Sequence, residues 1–525
     1  MSIQKFEKDK ILAPFLGEPL VHIVGQDPLG LLNTGGRTFE LLLPGLNNVT
    51  ERIRYYSFYC WFFHSYAKHI QKPNKKIQFD HLRRAEFILS LLAAKNGLQG
   101  IGGITKALTL YNKIDTSFDL TIGTGEDKVS KDGTYWKNPR GIFGQNYVSS
   151  LKQLNLIRDF DTDSGIFIKT EFDVEGKVSG NQLALAFEEN IGSSNASTFV
   201  NAMQNVRITQ KELEELSIPF DMLNVPINSN EHKLLWQLIT NTDEPKLDKV
   251  TLFRKKTTQL LLETIVLDED AFYDYKLTFD AYHSKGKIEE EYDETFSLWY
   301  YYQLEQFWHM ACTGSLAIFL KILNDKSNGN WIEEDNLINS IADNIVKYLI
   351  EEYGCLGNES FGEIAIIDSI EEDIVDDAKR NTNLFGKLAL NIILVRKLIH
   401  NNSDEIERLL QVTKTYGLNS NSSFLTSIAS LQSNSDLSIK EFVIYFIKKY
   451  IVIRHQWVSI KKMTISQSTE KFIREEGLIR FIDDIDYAYS SPRLSTLVDF
   501  MRDLGIITND KTNLTEHGLE LFNTL

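Results

Sequence analysis

The sequence predicts a mainly α, multidomain helical protein with two winged-helix-like (α+β) units, one internal and one C-terminal. Three observations lead there. Apolar residues recur at helical spacing through most of the chain. A helix–turn–strand–helix pattern occurs twice, and 525 residues exceed what a single core organises.

Residues 1–40 are punctuated by Pro14, Gly17, Pro19, Gly25, Pro28, Gly30 and the pair Gly35-Gly36, which predicts an extended arm. An aromatic-rich helical domain is expected over 41–130. Leu43-Pro44-Gly45 is a turn, Asn48 to Glu51 supply capping-type residues, and Ile53, Tyr56, Tyr59, Phe62, Phe63 and Tyr66 follow at helical spacing. A second helix is expected from about Phe79 to Lys95, ending near Gly97.

The segment 131–192 reads as the first winged-helix-like unit. Tyr147, Val148, Leu151 and Leu154 mark a helix, Asp161 to Gly165 a turn, Ile166 to Ile168 a strand, and Gly180 to Phe187 a second helix. Residues 193–295 form a mixed linker and helical region, and 296–465 a helical scaffold. In that scaffold Phe296 to Leu323 reads as a buried helix pair, because Glu305, His309 and Lys321 interrupt it too often for a membrane span. Leu337, Ile341, Ile345 and Leu349 mark one further helix and Phe385 to His400 another. Ser438 with Glu441 forms a capping box for a long helix whose stripe runs through Phe442, Phe446, Tyr450, Ile453 and Trp457 to about Lys462. The C-terminal unit, 466–525, repeats the earlier grammar: SLKQLNLIRDF matches FMRDLGIITND, and NQLALAF matches EHGLELF.

Charge and composition narrow the chemistry. With 42% hydrophobic and 24% charged residues the chain is ordinary globular material, and its net charge of −16 opposes bulk attraction to nucleic acid. The start shows no secretion signal, and the three scattered cysteines, Cys60, Cys312 and Cys355, suit a reducing cytoplasm. Asp159, Asp161 and Asp163 have calcium-loop spacing, but Ser164 and Thr170 stand where Gly and Glu are needed, so a hairpin turn explains them. Glu175-Gly176-Lys177 is a weak match to metal-dependent nucleases. Arg396 with His400, and Arg454 with His455, read as structural; His64 and His69 lack metalloprotease spacing, and Gly123 with Gly125 lacks a third glycine and a preceding strand. No metal and no cofactor are predicted.

Two groups remain as nucleic-acid candidates. Tyr135, Trp136, Lys137, Arg140 and Tyr147 combine aromatics with cations, which suits stacking and phosphate contact but equally a domain interface. Lys448, Lys449, Arg454, Lys461 and Lys462 form a local basic face on an acidic chain and are the stronger of the two.

The run LPGLNNVTERIRYYSFY, Leu43 to Tyr59, resembles bacterial proteins without assigned activity that recur in anti-phage defence neighbourhoods and share a Pro-Gly turn before an Arg- and aromatic-rich helix. Arg454-His455, Lys461 and Ser491 to Leu494 are similar to parts of the same group. The resemblance covers about a fifth of the chain and implies a defence context without assigning catalytic residues. Arg52, Arg54, Tyr55 and Tyr56 are its structural signature; a buried Arg there needs a carboxylate or carbonyl partner. The functional expectation is a non-catalytic, cytoplasmic defence component that binds DNA locally or a partner subunit through its winged-helix-like units, with no membrane association. A metal-dependent nuclease effector is the alternative and a transcriptional regulator the third reading.

Overall fold

The computed structural model describes residues 21–22, 27–47, 49–98, 100–112, 116–121, 138–171, 177–240, 249–267, 275–289, 291–356, 359–376, 383–418, 421–464, 467–489 and 494–525. It is mainly helical, with only short strands. In chain order the helices used below are α1 (Leu32–Leu42), α2 (Arg54–Ser65), α3 (Lys75–Asn96), α4 (Val148–Gln153), α5 (Gly180–Ile191), α6 (Asn230–Thr240) and α7 (Glu294–Ser327). They continue with α8 (Glu334–Tyr353), α9 (Leu384–Asn402), α10 (Phe424–Gln432), α11 (Ile439–Phe446), α12 (Arg454–Lys462), α13 (Leu494–Asp503) and α14 (Glu516–Phe522). The chain forms two compact units, one from 1–38 with 281–490 and the other from 39–280 with 491–525. Both are discontinuous in sequence.

The unit 39–280/491–525 is built around α2. Its aromatics are buried on every side: Tyr55 packs on Tyr59 and Tyr147 at ring separations of 5.6 and 4.9 Å, and Tyr56 meets Phe500 edge-on. Edge-on and offset rings are the favoured geometries for such clusters. Arg54 lies inside, with Nε and Nη2 donating to the Glu231 carboxylate of α6 and Nη1 to the Asp221 carbonyl. Glu231 also accepts from Ser57 Oγ and Asn190 Nδ2, so no lone pair of the buried carboxylate faces apolar surroundings alone. The Pro-Gly turn is tied to the same helix, because Tyr56 OH donates to the Gly45 carbonyl. Gly45 has φ +82° and a Cβ there would lie 2.4 Å from Leu154 Cγ, so both backbone and space require glycine.

α2 starts at Arg54, and its N-terminal residue has no side-chain cap. Of the capping residues expected upstream, Asn48 lies outside the described residues and Thr50 is used differently, its Oγ1 donating to the Asn47 carbonyl; Asn47 Nδ2 in turn donates to Ser150 Oγ at 2.9 Å. α3 is capped by Asn74 Oδ1 and ends at Gly97 in the left-handed conformation.

Two copies of one helix–hairpin–helix unit lie in this part of the molecule. In the first, α4 leads through Asn155 (φ +55°) into β1 (Ile157–Asp159), which pairs antiparallel with β2 (Phe167–Lys169) before α5. In the second, α13 leads through Gly505 (φ +67°) to a single antiparallel bridge, Ile507 with Leu514, and then to α14. The anchoring bonds are the same. Thr170 N and Oγ1 both donate to the Leu156 carbonyl, and Gly180 N donates to Thr170 Oγ1. Correspondingly, Thr515 N and Oγ1 donate to the Ile506 carbonyl, and Gly518 N to Thr515 Oγ1. The alignment of SLKQLNLIRDF with FMRDLGIITND therefore holds, whereas the second helices align Gly180 with Gly518, three residues away from the register that sequence similarity suggested. The aspartate turn is closed by Asp161 Oδ1, which accepts from Asp163 N and Ser164 N.

The unit 1–38/281–490 surrounds α7. Its 34 residues form one continuous helix, where a helix pair was expected. Nothing breaks it: Gly314 remains helical, and its missing side chain admits Tyr487 and Asn391, whose atoms would lie 3.1 and 3.2 Å from a Cβ. α9 lies along α7, and α8 packs on α9 and α11. Of the extended arm expected over 1–40, residues 1–20 and 23–26 lie outside the described residues; Val21–His22 is a short strand, and from Leu32 the chain is helix α1, capped by the Asp27 carboxylate, which accepts from Leu31 N and Leu32 N at 2.8 and 3.1 Å. Gly35 sits inside α1 because a Cβ there would lie 2.4 Å from Gln306 Nε2. Strand pairing is minor in this unit: Ile332–Glu333 joins the hairpin Phe472–Glu475 and Leu478–Phe481 in a three-stranded sheet.

Candidate interaction face

Ser438 and Glu441 form the expected capping box, and α11 buries Phe442 and Phe446. The helix then passes through a π-helical segment, Ile447–Ile453, before resuming as α12. The π turn accommodates extra residues per turn and so changes which face points inward. A straight α-helix would continue the stripe Phe442, Phe446, Tyr450 into Ile453 and Trp457. Instead the buried set of α12 is His455, Val458 and Ser459. Ile453, Trp457, Ile460 and Met463 are turned out, with 53, 47, 58 and 38% of their surface exposed. Spacings of four and three place Ile453, Trp457 and Ile460 on one side of the helix, and Met463 follows as its extended C-terminal cap residue.

The basic residues around this stripe have separate tasks. Lys448 pairs with Asp335 at 2.7 Å. Lys449 Nζ donates to Ser430 Oγ at 2.6 Å and Tyr445 OH at 3.0 Å. Arg454 Nε and Nη2 donate to the carbonyls of Leu29 and Gly30, and its guanidinium also lies 5.2 Å from the Trp457 ring centre. Lys461 Nζ stands 3.6 Å from the same ring centre. Lys462 Nζ donates to the Asp27 carbonyl. His455 Nδ1 donates to the Pro28 carbonyl, while Nε2 accepts from Lys471 N; burial pulls its pKa down to about 4, which keeps it neutral. Arg454, His455 and Lys462 thus fasten the segment 27–30 to α12.

The other sequence candidates fall elsewhere. Tyr135, Trp136, Lys137, Glu175, Gly176 and Ser491 to Arg493 lie outside the described residues. Arg140 is half-buried, with its guanidinium over the rings of Phe79 and Phe167 at 5.7 and 5.5 Å. Arg52 pairs with Asp503 at 3.0 Å. Burial drives the Tyr56 phenol up to about 12 and Tyr55 in the same direction, so both are neutral packing groups. Arg396 Nε donates to the Gly362 carbonyl. Among the described residues no three His, Cys, Asp or Glu side chains converge as metal ligands, and no helix is long and apolar enough to cross a membrane.

The outward stripe was missed at Ile460 and Met463. The available signal was that Ile453, Trp457 and Ile460 compete with Val452, His455 and Val458 for the same core; both sets cannot be inside. No protein-family model, curated protein or solved structure matches this chain.

Proposed function

We propose that the chain is a non-catalytic component of a bacterial anti-phage defence system and that it binds a partner subunit through the outward face of α12. The observation that supports partner binding is the row Ile453, Trp457, Ile460 and Met463, four large apolar side chains exposed side by side. Trp457 lies between Arg454 and Lys461, so the complementary surface is apolar at its centre with carboxylates beside it. The defence context rests on the resemblance of Leu43 to Tyr59.

Protein partnership is favoured over DNA on electrostatic grounds. Lys448 is neutralised by Asp335, Arg454 and Lys462 are turned to backbone carbonyls, and the chain carries −16 overall. The hairpin of the first repeated unit is acidic at its tip, with Asp161 and Asp163 exposed, where a phosphate-binding wing would carry cations.

The test is co-expression with the proteins encoded beside it. A named neighbour should co-elute with the wild type and be lost from the Trp457→Asp/Ile460→Asp variant, whose urea midpoint stays unchanged. Salt-sensitive binding of duplex or single-stranded DNA that the same variant abolishes, without any co-eluting neighbour, would replace this reading by nucleic-acid binding.

A further inference from the structure

Beside the outward stripe lies a second feature, which shares only Arg454 with the partner-binding proposal. A cavity of about 190 Å³ lies between α7, the first turns of α10 and the π-helical segment. Its lining includes the Trp308 ring, Thr426, Ser427 and Ser430 of α10, and the cations Lys449 and Arg454. The two cations are five residues apart. In an α-helix they would point about 140° away from one another, at about 100° per residue. The π-helical i→i+5 repeat brings residues at that spacing to one side.

Neither cation of this cavity is held in an ion pair, although the Asp27 charge is near enough to favour the charged form of Arg454. Lys449 donates to two hydroxyls and Arg454 to two carbonyls, and neither has a carboxylate within ion-pair distance among the described residues. Of the nearby acids, the Asp27 carboxylate is engaged by Leu31 N and Leu32 N. The Glu305 carboxylate does not line the cavity and accepts from Phe424 N at 2.9 Å.

We infer that this cavity is a binding site for a small phosphate-bearing molecule. The lining joins two cations to three hydroxyls and holds no carboxylate. Thr426 Oγ1 and Ser427 Oγ donate to the Ser423 carbonyl and Ser430 Oγ is bonded to Tyr445 OH, so the N–H groups of Lys449 and Arg454 are the donors offered first and the hydroxyls turn towards a bound anion, which suits the several acceptor oxygens of a phosphate better than the two of a carboxylate. The cavity is smaller than the about 300–1,000 Å³ usual for larger organic ligands, so the phosphoryl group is the main recognised element and what it is attached to is short. Lys449 forms the exposed lip and Arg454 the inner anchor.

Calorimetric titration of the full chain at matched ionic strength in chloride, with inorganic phosphate and with glycerol 3-phosphate as probes, tests this. Saturable binding of at least one probe is expected. Affinity should fall at least tenfold in Lys449→Gln and in Ser427→Ala/Ser430→Ala, while Lys448→Gln, whose lysine is paired with Asp335, binds as the wild type does. The tighter probe distinguishes free phosphate from a monoester. Absence of binding by both probes, or equal losses in Lys448→Gln and Lys449→Gln, would overturn the assignment. Unchanged urea midpoints in the three variants exclude unfolding as the cause of any loss.

Discussion

Gly180 and Gly518 occupy the same position in the two helix–hairpin–helix units: a Cβ on either would lie 2.0 Å from a carbonyl oxygen, that of Leu156 in one copy and of Ile506 in the other. A helix start is thereby pressed against the turn that follows the preceding helix, and the Thr170 and Thr515 hydroxyls bridge the two. The equivalence extends to the left-handed Asn155 and Gly505 one residue before each carbonyl.

Because the obstructing atom is backbone, neither glycine tolerates a side chain without displacement of its helix. Gly180→Ala and Gly518→Ala are each expected to destabilise by about 1–3 kcal/mol or more. Gly36→Ala is the control: nothing lies within 4 Å of its Cβ and it sits inside α1, so it should stabilise by about 0.5–1 kcal/mol. Urea midpoints of the three variants check the contrast; equal effects would contradict it.

The Arg54–Glu231 pair is buried at both ends, with 2 and 0% side-chain exposure. Removing one partner strands the other charge. Glu231→Ala is expected to cost about 3–5 kcal/mol, and Arg54→Met/Glu231→Leu to recover a large part of that loss. A double-mutant cycle on denaturant unfolding measures the coupling, and additive losses would show that the pair acts independently.

Asp27 makes a smaller but sharper case. Its carboxylate is the cap of α1, and its carbonyl receives Lys462. Asp27→Ala removes only the side-chain bonds and should cost about 1 kcal/mol. Limited proteolysis should then cut earlier within 27–32 than in the wild type, whereas Asp27→Asn, which can still cap, should behave nearly as the wild type.

Helix positions were legible because their signals are local. Gly97 is the left-handed stop expected after its apolar stripe, Gly354 and Gly505 end their helices in the same conformation, and Ser438 with Glu441 is a cap readable from four residues. The repeat was legible up to the hairpin, since SLKQLNLI and FMRDLGII share spacing and not only composition. Beyond it the register failed: nine residues separate Thr170 from Gly180 and two separate Thr515 from Gly518, and similarity of apolar pattern cannot reveal which glycine meets a carbonyl. The face of α12 was not legible for a different reason. A π turn leaves no residue-type signature, and each apolar residue after it is assigned to the wrong side by a 3.6-residue period. The identity of the residues beside Arg54 was equally hidden, because Glu231 is 177 positions away.

Two buried titratable groups of α7 make stability depend on pH from both sides. Glu305 and His309 are one turn apart; burial drives the Glu305 carboxyl up to about 8 and the His309 imidazole down to about 4. For Glu305 the folded chain holds its proton more tightly than the unfolded one, so its contribution is complete below about 4.5 and is lost as pH rises towards 8. For His309 the folded chain resists protonation, so its contribution is complete above about 6.5 and is lost as pH falls towards 4. Thermal midpoints of the wild type should therefore decline on both sides of a maximum. Glu305→Gln keeps the shape and the acceptor for Phe424 N, and should flatten the decline between pH 5 and 8, with a gain on the order of a few kcal/mol at pH 8. His309→Leu removes an imidazole whose Nδ1 has no partner and should flatten the decline between pH 6.5 and 4. Each variant should leave the other limb of the profile in place. If Glu305→Gln instead steepened the alkaline limb, the carboxylate would be the stabilising form, and the Phe424 and Leu425 N–H groups at the start of α10 would outweigh burial.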